Sequence, residues 1–244
     1  MKKHHSHFNF KQISLGFTLV EMAIVLVIFG LLLTMFLTPF TTQRDAQNRS
    51  KTAVLLGEAK EALMGFAITN GYLPCPDTDA VPDGIENLNA GGTNCASPEG
   101  IFPWNDLGIE RVDAWNHYFR YRVDSTFSRR GELFSIADAE GASDIQINGE
   151  NNSALVSTNS RPAAVILSHG TNGFGAKNLN ATSPANQEPL PTGADEIINA
   201  TDDDKKFVSH MPNQQGRADE FDDILVWISP KVLINRMIVA ERLP

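Results

Sequence analysis

Apolar positions follow three successive regimes along the chain. From Phe17 to Leu37 they form a nearly continuous run of 21 residues whose one charge is Glu21. At about 1.5 Å per residue, a helix of that length crosses a hydrocarbon core of about 30 Å, so a transmembrane helix is predicted over 17–40. The spacing then changes. Leu56, Ala59, Leu63 and Phe66 recur at three and four residues while Glu58, Lys60 and Glu61 fall between them, the period of an amphipathic helix. The helix is expected to continue over 41–70, with Pro39 and Gly57 as kinks or weak points and Asn70-Gly71 as its stop.

Past residue 71 the period drops to two. His117, Phe119, Tyr121 and Val123 alternate with Tyr118, Arg120, Arg122 and Asp124, which predicts a half-buried strand. Further strands are predicted at 132–136, 145–147, 162–167 and 224–228. The stretch from Cys75 to Pro103 is rich in Gly, Asn, Asp and Pro and reads as loop rather than core. Residues 170–219 form a long polar stretch, expected to be an extended surface loop. Ser229 and Pro230 are suited to open a C-terminal helix. The predicted fold class is α+β: a long N-terminal helix, its lower half transmembrane, packed on a small antiparallel sheet within a head at 71–244.

Charge places these elements. The chain has 244 residues with 20 basic and 29 acidic side chains, a formal net charge of −9. The first 16 residues hold Lys2, Lys3 and Lys11 and no acid, so without them the chain carries 17 basic groups and a net charge of −12. A basic leader before an apolar run stays in the cytoplasm, which predicts a single-pass inner-membrane protein with its C-terminal head in the periplasm. An acidic head argues against direct nucleic-acid binding, which needs a basic stripe; Arg120, Arg122, Arg129 and Arg130 read instead as a solvated strand face. Two cysteines 20 residues apart, Cys75 and Cys95, read as a disulfide in an oxidising compartment and as free thiols in a reducing one.

A secretory signal peptide does not account for the N-terminus. Its apolar core is 7–15 residues long and precedes a small-residue cleavage site, whereas here the small residue, Gly16, precedes the run. Glu21 needs explaining too, because a carboxylate costs roughly 2.5–3.5 kcal/mol at a bilayer centre unless it meets a partner. The junction Gly16-Phe17-Thr18-Leu19-Val20-Glu21 resembles that of type IV pilins and type II secretion pseudopilins. The resemblance implies cleavage after Gly16 by a prepilin peptidase, N-methylation of Phe17, and pairing of Glu21 with the terminal amine of a neighbouring subunit during filament assembly. It further implies a pilin-like fold and a 1–16 leader that is removed. The implied partners are other pilin or pseudopilin subunits, an inner-membrane assembly platform and membrane lipid. Asp113-Ala114-Trp115-Asn116 is similar to the Asp-Pro-Trp-Gly turn of major pseudopilins, with Asn116 able to take the left-handed backbone that glycine would. The length of the polar stretch favours a minor subunit, or alternatively a tip adhesin or DNA-uptake accessory pilin that binds a ligand through 170–219.

Two acidic groups could take calcium, which requires hard oxygen ligands. Asp219, Glu220, Asp222 and Asp223 precede the last predicted strand, at about the place where major pseudopilins bind calcium; Asp219, Asp222 and Asp223 are the candidate ligands, and a solvated acidic turn is the alternative. Asp77, Asp79 and Asp83 imitate a calcium loop with two extra residues between ligands, and a turn at Pro82-Asp83-Gly84 is the preferred reading. No enzymatic role is expected. Ser168 and His169 are adjacent and would point to opposite faces of a strand, no Gly-x-Ser-x-Gly elbow is present, and His210 has no evident partner.

Overall fold

A computed structural model describes residues 16, 18–132, 134–179, 187–201, 205–213 and 220–243, the side chains of 33–42 excepted. The chain divides into two compact units, Met1–Asp45 and Ala46–Pro244. Helix α1, Leu19–Asn70, contributes to both.

In the first unit α1 opens at Thr18. The Thr18 hydroxyl accepts from the Glu21 N–H at 3.2 Å, while Glu21 Oε2 accepts from the Thr18 N–H at 2.9 Å and from its hydroxyl at 2.8 Å. This reciprocal capping box satisfies donors that a helix start leaves unpaired. The expected transmembrane helix is not found: among the described residues no helix is long and apolar enough to cross a membrane. The lower-half-transmembrane part of the fold prediction is corrected accordingly, and with it the single-pass inner-membrane placement and periplasmic head that depended on it. The α+β class and the small antiparallel sheet stand. The leader over 1–15 and Phe17 lie outside the described residues.

In the second unit α1 turns the predicted stripe inward. Leu56, Ala59 and Leu63 are wholly buried, joined by Met64 and Ala67. The helix ends where the pattern placed its stop: Gly71 has φ +90° and donates to the Ala67 carbonyl, a left-handed exit that glycine adopts without strain. Neither Pro39 nor Gly57 interrupts the helix.

The main sheet has the order β1-β2-β4-β6, all antiparallel. β1 is Glu99–Ile101, β2 Arg120–Val123, β4 Ala164–Ser168 and β6 Ile224–Ile228. Two single-turn helices, α2 (Trp104–Leu107) and α3 (Ser125–Ser128), flank β2. A second sheet pairs β3 (Gln146–Asn148) in parallel with β5 (Lys206–Val208), and α4 (Ala194–Ala200) precedes β5. The C-terminal helix α5 is Pro230–Val239.

Alternation along the strands supplies two cores. Tyr121, Val123, Ala164, Ile166 and Ile228 point to the side holding α1 and α5. Val165, Leu225 and Trp227 face the opposite way and pack with Ile145, Ile147 and Phe207 of the small sheet. Both faces of the main sheet are thus covered, and β2 is buried at all four positions rather than half-exposed. β1 supplies a carboxylate that pairs both of its arginines. Glu99 accepts from Arg120 Nε at 2.6 Å and from Arg122 at 2.7 Å, with all three side chains nearly inaccessible. For Arg120 and Arg122 the solvated face expected from the sequence is corrected to this buried trio, while Arg129 and Arg130 keep partly exposed side chains.

Two other expectations change. The predicted strand at 132–136 is absent among the described residues; a Ser135–Asp138 capping box starts a 3-10 turn there, and local side-chain bonds of this kind compete with strand ladders. The stretches read as loop carry structure: β1 lies in the first, with Phe102 fully buried, and α4 and β5 lie in the second.

Candidate functional site: a buried carboxylate cluster and the N-terminal junction

The end of the β4–β6 ladder, where Ser168 lies opposite Ile224, brings three chain segments together. Residues 169–173 leave β4 and turn through Gly170 and Gly173, both left-handed at φ +62° and +64°. Residues 220–223 lead into β6. α4 arrives from the long polar stretch, with Glu196 in its first turn. Glu196, Asp222 and Asp223 each place a carboxylate oxygen within 4.8 Å of the other two. Their exposures are 2%, 0% and 6%, and three carboxylates held so close and so dry repel one another strongly.

Neutral donors hold the cluster in place. Asn172 donates its side-chain amide to both Glu196 oxygens, at 3.0 and 3.2 Å, and its backbone N–H to Asp222 Oδ2 at 2.9 Å. The Asp222 N–H donates to Glu196 Oε1 at 2.9 Å. Asn199 ties α4 to β5 by exchanging side-chain bonds with the Val208 backbone, and also donates to Asp223 Oδ2 at 2.8 Å. His169 Nδ1 lies 3.5 Å from Asp223 Oδ1. Gly170 is obligatory, because a Cβ there would sit 2.4 Å from the Asp222 carbonyl oxygen.

The electrostatics follow. Burial, then the Asp223 charge, pushes the Glu196 carboxyl up to about 7. Asp222 rises to about 6, mainly through burial, with Asp223 adding to the shift and the Arg49 charge opposing it. Among the described residues Asp222 Oδ1 has no hydrogen-bond partner, although it is buried. Three converging carboxylates with such an oxygen concentrate negative charge that a cation could neutralise. All the candidate ligands are hard oxygens, and flexible coordination by carboxylate and amide oxygens suits Ca²⁺ better than a thiolate- or imidazole-seeking metal.

Of the residues singled out from the sequence, Asp222 and Asp223 lie together in this cluster, and Asp219 lies outside the described residues. Glu196 was missed: it is remote in sequence, in a segment too polar to show a helical stripe. The Asp77 group behaves differently. Asp77 Oδ1 accepts from the Asp79 N–H and Oδ2 from the Gly84 N–H, so both oxygens are occupied by the turn's own backbone, while Asp79 and Asp83 are exposed. Cys75 and Cys95 form the disulfide, with Cα atoms 5.2 Å apart. It ties the chain leaving α1 to the 75–95 loop, where Glu86 accepts from the Cys75 N–H and pairs with Arg130.

Ser168 donates to Asp113 Oδ2 at 2.7 Å, and Asp113 Oδ1 closes its turn by accepting from the N–H groups of Trp115 and His117. Asn116 takes φ +69° there, the left-handed backbone anticipated for that position. His210 does find partners: its ring stacks on Phe221 and bonds Asp195 at 3.1 Å. At the other end of the chain, Gly16 is exposed with open space where a Cβ would go, and Glu21 closes the capping box on Thr18. No family model, curated protein or solved structure matches this chain.

Proposed function

We propose that this chain is a structural subunit of a filament of the type IV pilin or type II pseudopilin kind, cut after Gly16 and N-methylated on Phe17. The observation that carries this reading is the junction from Gly16 to Glu21, placed immediately at the opening of α1. Exposed apolar side chains support it: Leu19, Leu26 and Phe29 are 88%, 66% and 59% accessible, and lateral packing against the same helix of neighbouring copies would cover them. Glu21 then has two separable tasks, closing its own helix and meeting the amine of the next subunit.

The separation supplies the test. Glu21→Gln keeps a capping-box residue and removes the charge, whereas Glu21→Ala removes both. If docking needs the charge, both variants are processed normally and neither enters filaments; incorporation of Glu21→Gln at the wild-type level would reduce Glu21 to a cap. Gly16→Leu meets nothing in the folded chain, so a block in removal of the 16-residue leader, read on a gel, reports peptidase recognition.

A second reading concerns the head. The orphaned Asp222 Oδ1 favours a divalent cation, with calcium the fitting ion, held by Glu196, Asp222 and Asp223. Bound there, the ion would fasten α4 to the end of the main sheet. Calorimetric titration of the full chain with CaCl₂ should show one site, lost in Asp222→Asn; heat that is unchanged by that substitution would place the ion elsewhere.

A further inference from the structure

Among the described residues β6 lies at the edge of the main sheet and pairs with β4 alone. The Ala163 N–H donates to the Ile228 carbonyl, which turns the backbone of Ile228 toward β4. By the alternation of an antiparallel ladder, Val226 and Ile224 turn the same way, and Leu225 and Trp227 direct their N–H and C=O groups outward. Among the described residues no second strand receives them. Open edges are ordinarily guarded by charge, proline, a bulge or brevity. Ile224-Leu225-Val226-Trp227-Ile228 has five residues with neither charge nor proline, and the first four are only part-covered.

The strand is also complementary to itself. Turned antiparallel about Val226, a second copy sets Leu225 against Trp227 and Ile224 against Ile228, all apolar or aromatic pairs of the stabilising kind. Just beyond the strand, the same register sets Asp223 against Ser229 and Phe221 against Lys231, so the acidic end of one copy meets the Lys231 end of the other. A parallel pairing would instead align Asp223 with Asp223 and Glu220 with Glu220. The charge pattern therefore selects the antiparallel arrangement.

We infer that β6 is a homotypic pairing edge, joining two copies of this chain into an antiparallel, two-fold continuous sheet centred on Val226. Leu225 and Trp227 each exchange two backbone hydrogen bonds with the partner copy. Such a contact closes on itself and cannot propagate a filament, so it is independent of the N-terminal junction and pairs heads rather than stacking them.

The test uses the full chain carrying Val226→Cys. The two native cysteines are bonded to each other, so this introduces a single free thiol. In the proposed pair the two 226 positions are directly opposite and not hydrogen-bonded to each other, the register at which side chains approach closest. Mild oxidation should give a reducible dimer in at least tenfold greater yield than the exposed control Ala90→Cys. Adding Leu225→Pro, which removes an outward N–H, should cut that yield about tenfold. Equal yields at 226 and 90, or no effect of the proline, would overturn the pairing. Wild-type hydrogen exchange covers a misfolded variant. Protection of the Leu225 and Trp227 amides should rise with protein concentration, and concentration-independent exchange overturns the pairing as well. Neither readout depends on Glu21, so failure here leaves the filament reading standing.

Discussion

Asp222 shows most clearly how burial decides chemistry at the scale of one residue. Its Oδ2 is bonded, its Oδ1 is not, and Glu196 and Asp223 crowd it. With no cation bound, Glu196 and Asp222 keep protons to about pH 7 and 6, above their unfolded values. The folded state then binds more protons than the unfolded one across roughly pH 4 to 7, and its stability falls as pH rises through that window. The cation-free protein should therefore melt at progressively lower temperature from pH 4.5 to 7.5, and calcium should restore the loss at pH 7.5. A calcium-free melting temperature that rose over this range in the wild type, with no difference from Asp222→Asn, would remove the cluster from the account. Glu99 is the second single residue on which much rests. Replacing it with alanine leaves two nearly inaccessible arginines without their shared carboxylate, which should cost about 3–5 kcal/mol in urea denaturation.

Among the elements, α1 was legible because an apolar period needs no knowledge of the partner, and α5 because Ser229 and Pro230 mark a helix start. Leu56, Ala59 and Leu63 face the core as their spacing required. The end of α1 has a less visible support. Arg242 donates to the carbonyls of Ile68 and Thr69, two of the acceptors that a helix terminus leaves over, and Arg236 pairs with Glu61. Arg242→Ala should lower stability by about 1 kcal/mol, and exchange of the last-turn amides of α1 should quicken with it. The short strands were harder. β1 and β5 have three residues each, too few to display a period, and they exist because β2 and β3 offer them ladders. A five-residue apolar strand such as β6 stood out, and it coincides with the predicted 224–228.

At the scale of the molecule, the disulfide and the carboxylate cluster fasten opposite kinds of segment. Cys75–Cys95 closes a loop that follows α1, and in the chain-entropy model its removal through Cys75→Ser with Cys95→Ser should cost about 3 kcal/mol, measurable as a lower urea midpoint. The cluster draws α4, and β5 with it, onto the far face of the main sheet. The stretch expected to be a surface loop is therefore partly a second layer, and its polarity hid that role. Polar residues there serve each other: Asn199 satisfies Val208 and Asp223, and Asn172 satisfies Glu196 and Asp222.

The sequence by itself determined what depends on neighbours along the chain: the helix period with its Gly71 stop, and the apolar β6. Local chemistry suffices for those, because propensity, spacing and turn residues act within a few positions. Tertiary structure alone decided what depends on distant groups meeting. It set Glu99 between two arginines and brought Glu196 to Asp222 across 26 positions. It also overturned the membrane span, since among the described residues no helix is long and apolar enough to cross one. The physical reason is common to the two buried charge clusters. A buried charge is stable only where the fold supplies its counterpart, and no pattern along the chain states which distant residue that will be.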